Sequence, residues 1–184
     1  DGVTALLLLA VHAEAGDRPA TLHALLSSHE YTAEELEVRD GDGLTAFLVA
    51  CSRGDADCVQ VLLKAGSDAE AVRGGDGHEG ALLLTINEAA GPERIATLAV
   101  LIDSHDYDLE TSRGSGSPSV FLAACRCGCA SSVQMLLKAG CDVSETAASY
   151  GSTGLMEATR STGLMEATRI DNAEVSVAVA RVLL

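Results

Sequence analysis

Six cysteines are the residues of this chain best suited to bind a metal, and three of them lie close together: Cys125, Cys127 and Cys129. Zinc sites usually take four ligands from two separated Cys or His pairs. A similar stretch occurs earlier in the chain, and there Arg53 and Asp55 occupy the positions of Cys127 and Cys129. Positions that accept such different residues do not indicate a ligand set. We therefore predict no metal site, with zinc as the alternative, and free, reduced thiols in a cytosol-like compartment.

Two histidines recur beside a carboxylate and could form an acid–base pair. They lie in the matching segments Ser28–Tyr31 and Ser104–Tyr107, which read Ser-His-Glu-Tyr and Ser-His-Asp-Tyr. The chain contains internal repeats, and their alignment offers a simpler explanation. It places both histidines where matching segments have a glycine that ends a helix. Histidine tolerates the left-handed conformation of that position better than most residues other than glycine. The sequence thus predicts a structural role for His29 and His105.

Other residue types form no catalytic or cofactor-binding pattern. The glycine-rich segments 74–77 and 114–118 follow no plausible core strand, and the chain lacks the Gly-Lys-Ser/Thr sequence of a phosphate-binding loop. Paired carboxylates such as Glu34 and Glu35 are more simply explained as a solvated surface. We therefore predict that the chain is not an enzyme and has neither a catalytic residue nor a cofactor.

The charge of the chain limits the partners that it could bind. Its 12 Lys and Arg residues and its net charge of −15 argue against nucleic acid and against anionic membrane surfaces. The longest apolar run, Ala5–Val11, is far shorter than the roughly 18 residues that a membrane-spanning helix needs, so we predict no membrane insertion. A protein with a basic surface is the natural complement of such a chain. A charge that only keeps the chain soluble is the alternative interpretation.

Internal repetition organises the whole sequence. Segments 45–51 and 59–66 match segments 119–125 and 133–140, and the separation is the same for both pairs. A second family of matches, which includes the two histidine segments, has a slightly larger separation of its own. Two kinds of repeat therefore alternate along the chain. Each repeat has about 37 residues, a length typical of solenoid proteins.

Each repeat carries the signals of two helices joined by a short turn. Thr45 is a good N-cap for a short apolar helix, and Gly54 breaks that helix. A second helix then carries Val and Leu at helical spacing until Gly66 ends it in the left-handed conformation. The loop that follows is rich in Gly, Asp and Ser. The matching repeat around residue 119 has the same signals.

These signals resemble the ankyrin repeat family, whose consensus includes Asp-Gly-x-Thr-Pro-Leu-His and Leu-Leu-x-x-Gly-Ala-Asp. Segment 42–48 reads Asp-Gly-Leu-Thr-Ala-Phe-Leu, segment 62–68 reads Leu-Leu-Lys-Ala-Gly-Ser-Asp, and segment 136–142 is equally close. The resemblance implies an all-α fold, a solenoid of helix-turn-helix units with protruding finger loops. It implies one array of five repeats, at approximately residues 1–40, 41–76, 77–114, 115–149 and 150–184. Tetratricopeptide and HEAT arrays have similar periods, but they do not explain the Gly-Asp endings.

The chain departs from the family consensus at two positions. Ala46 stands at the consensus proline, and Leu48 and Leu83 stand at the consensus histidine. The hydrogen bonds that this histidine usually supplies between repeats are therefore expected to be replaced by apolar packing. We also expect the odd-numbered repeats to carry about four extra residues between their two helices.

A nonapeptide is duplicated, since Ser152–Arg160 and Ser161–Arg169 are identical. Each helical residue advances by about 100°, so nine extra residues would turn everything that follows to the wrong face. We expect one copy to loop out, or to be absent from the natural protein. The chain also stops within a predicted helix, at Val182–Leu184, and neither end has the polar cap of a terminal repeat. We therefore expect it to be a segment of a longer protein.

The resemblance implies a non-enzymatic scaffold for protein–protein interaction. We expect it in the cytoplasm, as part of a larger complex, with association with the cytoskeleton as an alternative. The alternatives are a structural component of a large permanent assembly, cytoskeletal or ciliary, and the regulatory repeat array of a larger enzyme or channel. Partners of ankyrin arrays usually dock on the fingers and on the exposed side of the first helices. By alignment these positions are Asp42, Leu44, Ser52 and Arg53 in the second repeat, Asp76, Glu79, Asn87 and Glu88 in the third, and Ser115 and Arg126 in the fourth.

Overall fold

The computed structural model describes residues 17–74, 79–104 and 119–141. The chain divides into two compact bodies, Asp1–Tyr107 and Asp108–Leu184. In the described residues all regular secondary structure is helical, apart from one isolated antiparallel bridge between Val72 and Gly80. The predicted all-α fold class is therefore confirmed. No helix within these ranges is long and apolar enough to cross a membrane.

The helices follow one another in pairs. In the first compact body they are α1 (Arg18–Ser28), α2 (Ala33–Leu36), α3 (Ala46–Arg53), α4 (Ala56–Ala65), α5 (Ala81–Glu88) and α6 (Gly91–Ser104). In the second compact body they are α7 (Val120–Cys127) and α8 (Ala130–Lys138), which pack on each other. The predicted second repeat thus supplies α3 and α4, the third supplies α5 and α6, and the fourth supplies α7 and α8.

The first compact body has two layers of helices. In one layer α3 packs against α5, and in the other α4 contacts both α1 and α6. Within the repeats, α3 contacts α4 and α5 contacts α6. A single helix pair cannot bury its apolar side alone, so the stacking of neighbours creates one continuous core. This is the helix-turn-helix arrangement that the sequence predicts.

The first helix of each of these repeats is buried over most of its length. The side chains from Ala46 to Cys51 and from Ala81 to Ile86 are all buried. Leu48 and Leu83, which replace the consensus histidine, are 0% and 1% exposed. Burying one leucine side chain contributes roughly 1.5–3 kcal/mol to stability. Apolar packing at the histidine position is therefore confirmed.

A polar contact between repeats accompanies this apolar packing, at a position other than that of the consensus histidine. The hydroxyl of Thr85 on α5 lies 3.2 Å from the main-chain oxygen of Cys51 on α3 and 2.8 Å from that of Ala81. Thr85 is fully buried. A buried hydroxyl needs a hydrogen-bond acceptor, and both the Ala81 carbonyl of the same helix and the Cys51 carbonyl of the neighbouring repeat lie within reach. Thr85 therefore supplies a polar contact between the second and third repeats.

The predicted helix ends of the second repeat are confirmed. The hydroxyl of Thr45 accepts a hydrogen bond from the N–H of Leu48 at 3.3 Å, as an N-cap does. Gly54 and Gly66 adopt φ angles of 76° and 96°, in the left-handed region. A Cβ atom at Gly54 would also lie 3.0 Å from the Cβ atom of Glu93 on α6. Glycine is therefore needed at Gly54 both for the turn and for the close approach of the next repeat.

The extra residues of the third repeat lie within its second helix, so their predicted place between the helices is wrong. Helix α4 has 10 residues and α6 has 14, whereas the same short connection joins the helices in both repeats, Gly54-Asp55 and Ala89-Ala90. Four residues lengthen a helix by about 6 Å and turn it through about 400°. The apolar side is thus rotated by only about 40°. An insertion of this length can be absorbed inside a helix that still packs on its neighbour.

The predicted left-handed conformation of His29 is also wrong. His29 follows α1 with φ −146° and ψ 137°, an extended conformation, and its ring lies edge-to-face against Tyr31 with the ring centres 4.9 Å apart. The chain continues to α2, a single turn that the sequence analysis did not predict. The N–H of Thr32 donates to Glu35 Oε2 at 2.8 Å, and the N–H of Glu35 donates to the Thr32 hydroxyl at 3.3 Å. His29 after α1 and Thr32 before α2 are thus both extended.

A buried ion pair joins α1 to the second repeat. Arg18 Nη1 lies 2.7 Å from Asp55 Oδ2, and the two side chains are 8% and 14% exposed. The other oxygen of Asp55 accepts a hydrogen bond from the N–H of Cys58 at 3.2 Å. One carboxylate therefore caps α4 and fixes its contact with α1.

Several predictions lie outside the described residues. These concern the first helix of the first repeat, the whole fifth repeat, His105, and the duplicated nonapeptide at Ser152–Arg160 and Ser161–Arg169. The five repeat boundaries remain predictions.

Candidate partner-binding surface

Two finger loops of the first compact body lie side by side. The first finger, residues 39–45, leads into α3, and the second finger, of which residues 71–74 and 79–80 are described, leads into α5. The N–H of Gly74 donates to the main-chain oxygen of Gly43 at 2.8 Å. A Cβ atom at Gly43 would lie 2.8 Å from the Gly74 oxygen, and the φ angle of Gly43 is 76°. Only glycine fits at this position without strain, so the sequence itself allows the two fingers to touch.

Arg39 ties the two fingers together from one side. Its Nη1 atom donates to the main-chain oxygen of Gly43 at 2.8 Å and to that of Val72 at 2.6 Å. The second finger is closed by its own hydrogen bond from the N–H of Arg73 to the oxygen of Glu79 at 2.9 Å. Charged donors make strong hydrogen bonds to carbonyl groups, so Arg39 restrains both loops.

Arg73 connects the fingers to the first helix of the third repeat. Its Nε atom donates to the main-chain oxygen of Asp42 at 3.2 Å. Its Nη1 atom lies 3.6 Å from Glu79 Oε2 and 3.5 Å from Glu88 Oε1. One guanidinium group therefore contacts the first finger, the second finger and the end of α5.

Four of the residues that the sequence predicts for partner binding meet around this arginine. Asp42, Asn87 and Glu88 are exposed, and Glu79 is half-buried. The side-chain amide of Asn87 donates to Glu79 Oε1 at 3.0 Å. The four residues, together with Arg73, form a continuous polar patch, which we call the finger surface.

Other predicted positions lie elsewhere, and one of them is not on the surface at all. Leu44 is 8% exposed, because its side chain packs in the core immediately after the turn at Gly43. Leu44 is therefore not a candidate for partner contact. At the end of α3, Ser52 is half-buried with its hydroxyl bonded to the Val49 oxygen at 3.0 Å, and Arg53 is exposed.

The remaining predicted positions belong to the fourth repeat or lie outside the described residues. Arg126 is exposed on α7 of the second compact body. Asp76 and Ser115 lie outside the described residues.

Arg39 and Arg73 were not among the predicted residues, although the sequence contains a signal for them. Each of these arginines begins the pattern Arg-x-Gly-Asp-Gly, at positions 39–43 and 73–77, about one repeat length apart. A cation that recurs at the start of each finger indicates a role in the finger. Which groups it contacts depends on the stacking of the repeats.

The two thiols of the second repeat, Cys51 and Cys58, are not suited to a reactive site. Burial raises the pKa of the Cys51 thiol well above its usual value, and burial together with Asp55 raises the pKa of Cys58 to about 12. Such thiols stay protonated and are poor nucleophiles. Among the described residues no group of three or more His, Cys, Asp or Glu side chains could hold a metal ion.

The fold and the finger surface define a class of protein: helical repeat proteins with paired fingers. The ankyrin repeat family model matches residues 42–73, which contain the end of the first finger, α3, α4 and the start of the second finger. The chain is also 30% identical over 141 residues to the B-cell lymphoma 3 protein homolog of mouse, a match that covers 77% of the chain and 29% of the relative. The chain thus spans less than a third of the length of that relative. Residues 42–73 therefore form an ankyrin repeat, and repeats of this family are protein–protein interaction modules.

Proposed function

We propose that this chain is a non-enzymatic scaffold that binds another protein on the finger surface. The observation that carries the proposal is the direct contact of the two fingers through Gly43 and Gly74, with Arg39 and Arg73 holding both loops. Binding is weakened by the cost of ordering flexible loops. Fingers that are already fixed avoid most of this cost, so they suit a surface that recognises a partner.

The partner that best complements this surface is a protein with a basic surface. The chain has a net charge of −15, and the finger surface carries three carboxylates and one arginine: Asp42, Glu79, Glu88 and Arg73. Opposite charge increases the rate of encounter and rejects wrong partners. Because steering of this kind is screened by salt, the association rate should fall as ionic strength rises.

The compartment we propose is the cytoplasm, within a larger complex. All six cysteines lie in the described residues, and they are present there as thiols rather than as disulfides. Reduced thiols are typical of reducing compartments. Fractionation of source cells, with the chain detected in the soluble, membrane and cytoskeletal fractions, tests this part of the proposal.

Cross-linking mass spectrometry on the native complex, purified at moderate salt from its source, is the first test. Cross-links from the fingers to one basic protein would support a scaffold and identify its partner. Links to many neighbours in fixed proportion that survive high salt would instead favour a structural component of a permanent assembly.

Two matched double variants then locate the interface. Asp42→Asn with Glu88→Gln removes two carboxylates from the finger surface, whereas Asp57→Asn with Asp103→Asn removes two from α4 and α6, away from the fingers. Both pairs change the net charge equally. We expect the first pair to weaken the partner by about tenfold and the second to change affinity by less than about twofold. Equal effects of the two pairs would mean that the overall charge, rather than the finger surface, determines binding.

A further inference from the structure

We infer that Arg73 is the positioning residue of the finger surface: it holds Glu79 and Glu88 in the arrangement that a basic partner meets. The inference rests on the proposed function, because it assigns a role within that surface. Arg73 itself was not among the residues predicted to touch a partner.

Arg73 differs from an ordinary charged surface residue in the number of groups that it contacts. Its guanidinium group is bound at three points that belong to two consecutive repeats: the main chain at Asp42, the carboxylate of Glu79 and the carboxylate of Glu88. Its own N–H also donates to the main-chain oxygen of Glu79. The Arg73 side chain is only 29% exposed. Several bonds from one planar group fix an orientation, which a single ion pair does not.

The carboxylates keep the capacity to bind a second cation. The two Nη1 distances, 3.6 Å to Glu79 and 3.5 Å to Glu88, are longer than those of a tight ion pair, so Arg73 contacts both carboxylates without occupying all of their acceptor positions. An ionised carboxylate can accept about four hydrogen bonds. A lysine or arginine of the partner can therefore pair with Glu79 or Glu88 while Arg73 stays in place.

The neighbouring Arg39 gives a useful contrast. Its Nη1 atom donates to two main-chain oxygen atoms, those of Gly43 and Val72, and so it joins the fingers to each other. Arg73 instead joins the fingers to carboxylates of the surface. The same residue type in the same sequence pattern thus has two roles, and of the two arginines it is Arg73 that positions groups that a partner can reach.

Arg73→Lys is the variant that separates positioning from charge. Lysine keeps the positive charge, but it lacks the planar fork and the Nε donor that reaches the oxygen of Asp42. The matched control is Arg94→Lys on α6, where Arg94 Nε donates to the main-chain oxygen of Ala89 at 2.8 Å and Arg94 is not one of the residues of the finger surface. Thermal unfolding of each variant shows whether it is folded before binding is measured.

The experiment uses the whole 184-residue chain with nitrogen-15 labelling and a hexalysine peptide as the basic probe, with hexaglutamate as the negative probe. Peptide titrations give the affinity, and amide hydrogen exchange of Gly43 and Gly74 gives the order of the fingers. For Arg73→Lys we expect about fivefold weaker binding of hexalysine, an unchanged dependence on salt and faster exchange at both glycines. Arg94→Lys should leave all three quantities unchanged.

Two results would contradict us, and they are distinguishable. If the unmodified chain does not bind hexalysine more tightly than hexaglutamate, the basic partner of the proposed function is wrong. If hexalysine binds but Arg73→Lys behaves like the unmodified chain in affinity and in glycine exchange, Arg73 contributes only its charge, and the positioning role is wrong.

Discussion

The second and third repeats have first helices of equal length, but these helices end by different means. Helix α3 begins at Thr45, whose hydroxyl caps it, and ends at Gly54 in the left-handed conformation. Helix α5 begins at Gly80, which has no side chain to cap it, and ends at Ala89 in an extended conformation. Both helices nevertheless have eight residues, of which six consecutive ones are buried.

Contacts with other elements replace the missing caps of α5. Gly80 pairs with Val72 in the isolated bridge of the second finger. At the other end, Arg94 of α6 donates to the main-chain oxygen of Ala89 at 2.8 Å. In the middle, Thr85 contacts the oxygen of Cys51 on the neighbouring helix. The buried apolar residues therefore determine the helix, whereas its ends can be fixed either locally or by neighbours.

The largest effect should come from the residues that the two repeats share. Leu48→Ala and Leu83→Ala each remove a fully buried side chain, and each should cost about 2–5 kcal/mol of unfolding free energy in urea denaturation. Similar costs would confirm that α3 and α5 belong to one cooperative core. A cost below about 1 kcal/mol for Leu83→Ala alone would show that α3 and α5 do not share one cooperative core, since the third repeat would then unfold separately.

Thr85→Val should have the next largest effect, because it keeps the shape of the side chain and removes both hydroxyl contacts, the one to Ala81 within α5 and the one to Cys51 in the neighbouring repeat. We expect a loss of about 1 kcal/mol in the unfolding free energy. The matched control is Val49→Thr, which places a new hydroxyl at another buried position, on α3. That control should be at least as destabilising, since burying a polar group at an apolar position costs free energy. A neutral Thr85→Val would mean that the contact with Cys51 contributes nothing to the stack.

Substitutions at the N-caps of α3 and α5 should change the unfolding free energy in opposite directions. Thr45→Ala removes the side-chain acceptor of the Leu48 N–H and should cost about 1 kcal/mol of unfolding free energy. Gly80→Ser should stabilise by about 0.5 kcal/mol, because it adds a cap and reduces the entropy of the unfolded chain. Its Cβ atom fits, since the nearest atom, Val72 Cγ1, is 4.0 Å away. Urea denaturation measures both changes, and destabilisation by Gly80→Ser would show that the bridge to Val72 leaves no room for a local cap.

The smallest effect concerns the capping box of α2. Hydrogen bonds from the main chain and the side chain of Thr32 lower the pKa of Glu35 below its usual 4.5, with His29 adding to the effect. The folded state therefore favours the ionised form, and this contribution is present above pH 4.5 and is lost as the pH falls through the lower folded pKa. Carbon-13 NMR titration of the Glu35 carboxyl should show the lowered pKa in the unmodified chain and a smaller lowering in Thr32→Ala, which keeps the main-chain donor and loses only the hydroxyl. Equal values in the two proteins would contradict a working capping box.

Sequence signals succeeded where the cause of a structure is local. Thr45, Gly54 and Gly66 act within a few residues of themselves, and all three were placed correctly. Sequence signals failed at His29, because the extra turn α2 follows from the capping box at Thr32 and not from a residue that ends α1. They also misplaced the extra residues of the third repeat, because a four-residue insertion fits almost equally well in a turn or in a helix.

The candidate surface was predictable in part. Alignment to the family positions identified Asp42, Glu79, Asn87 and Glu88, which the structure brings together. It also proposed Leu44, which is buried, because alignment indicates a position and not the direction of a side chain. The two arginines of the fingers recur in the sequence pattern, but the pattern does not say what they contact.

The helical repeats, their apolar first helices and the glycine turns are specified by the sequence alone, since periodicity and capping act over a few residues. The contact of the two fingers, the hydrogen bond from Thr85 to the neighbouring repeat and the contacts of Arg73 required the tertiary structure. The physical reason is distance along the chain: Arg73 and Asp42 are 31 residues apart, and Thr85 and Cys51 are 34 residues apart. Such groups meet only when stacked repeats bring them together, and the stack is held by the whole buried core rather than by any one local signal.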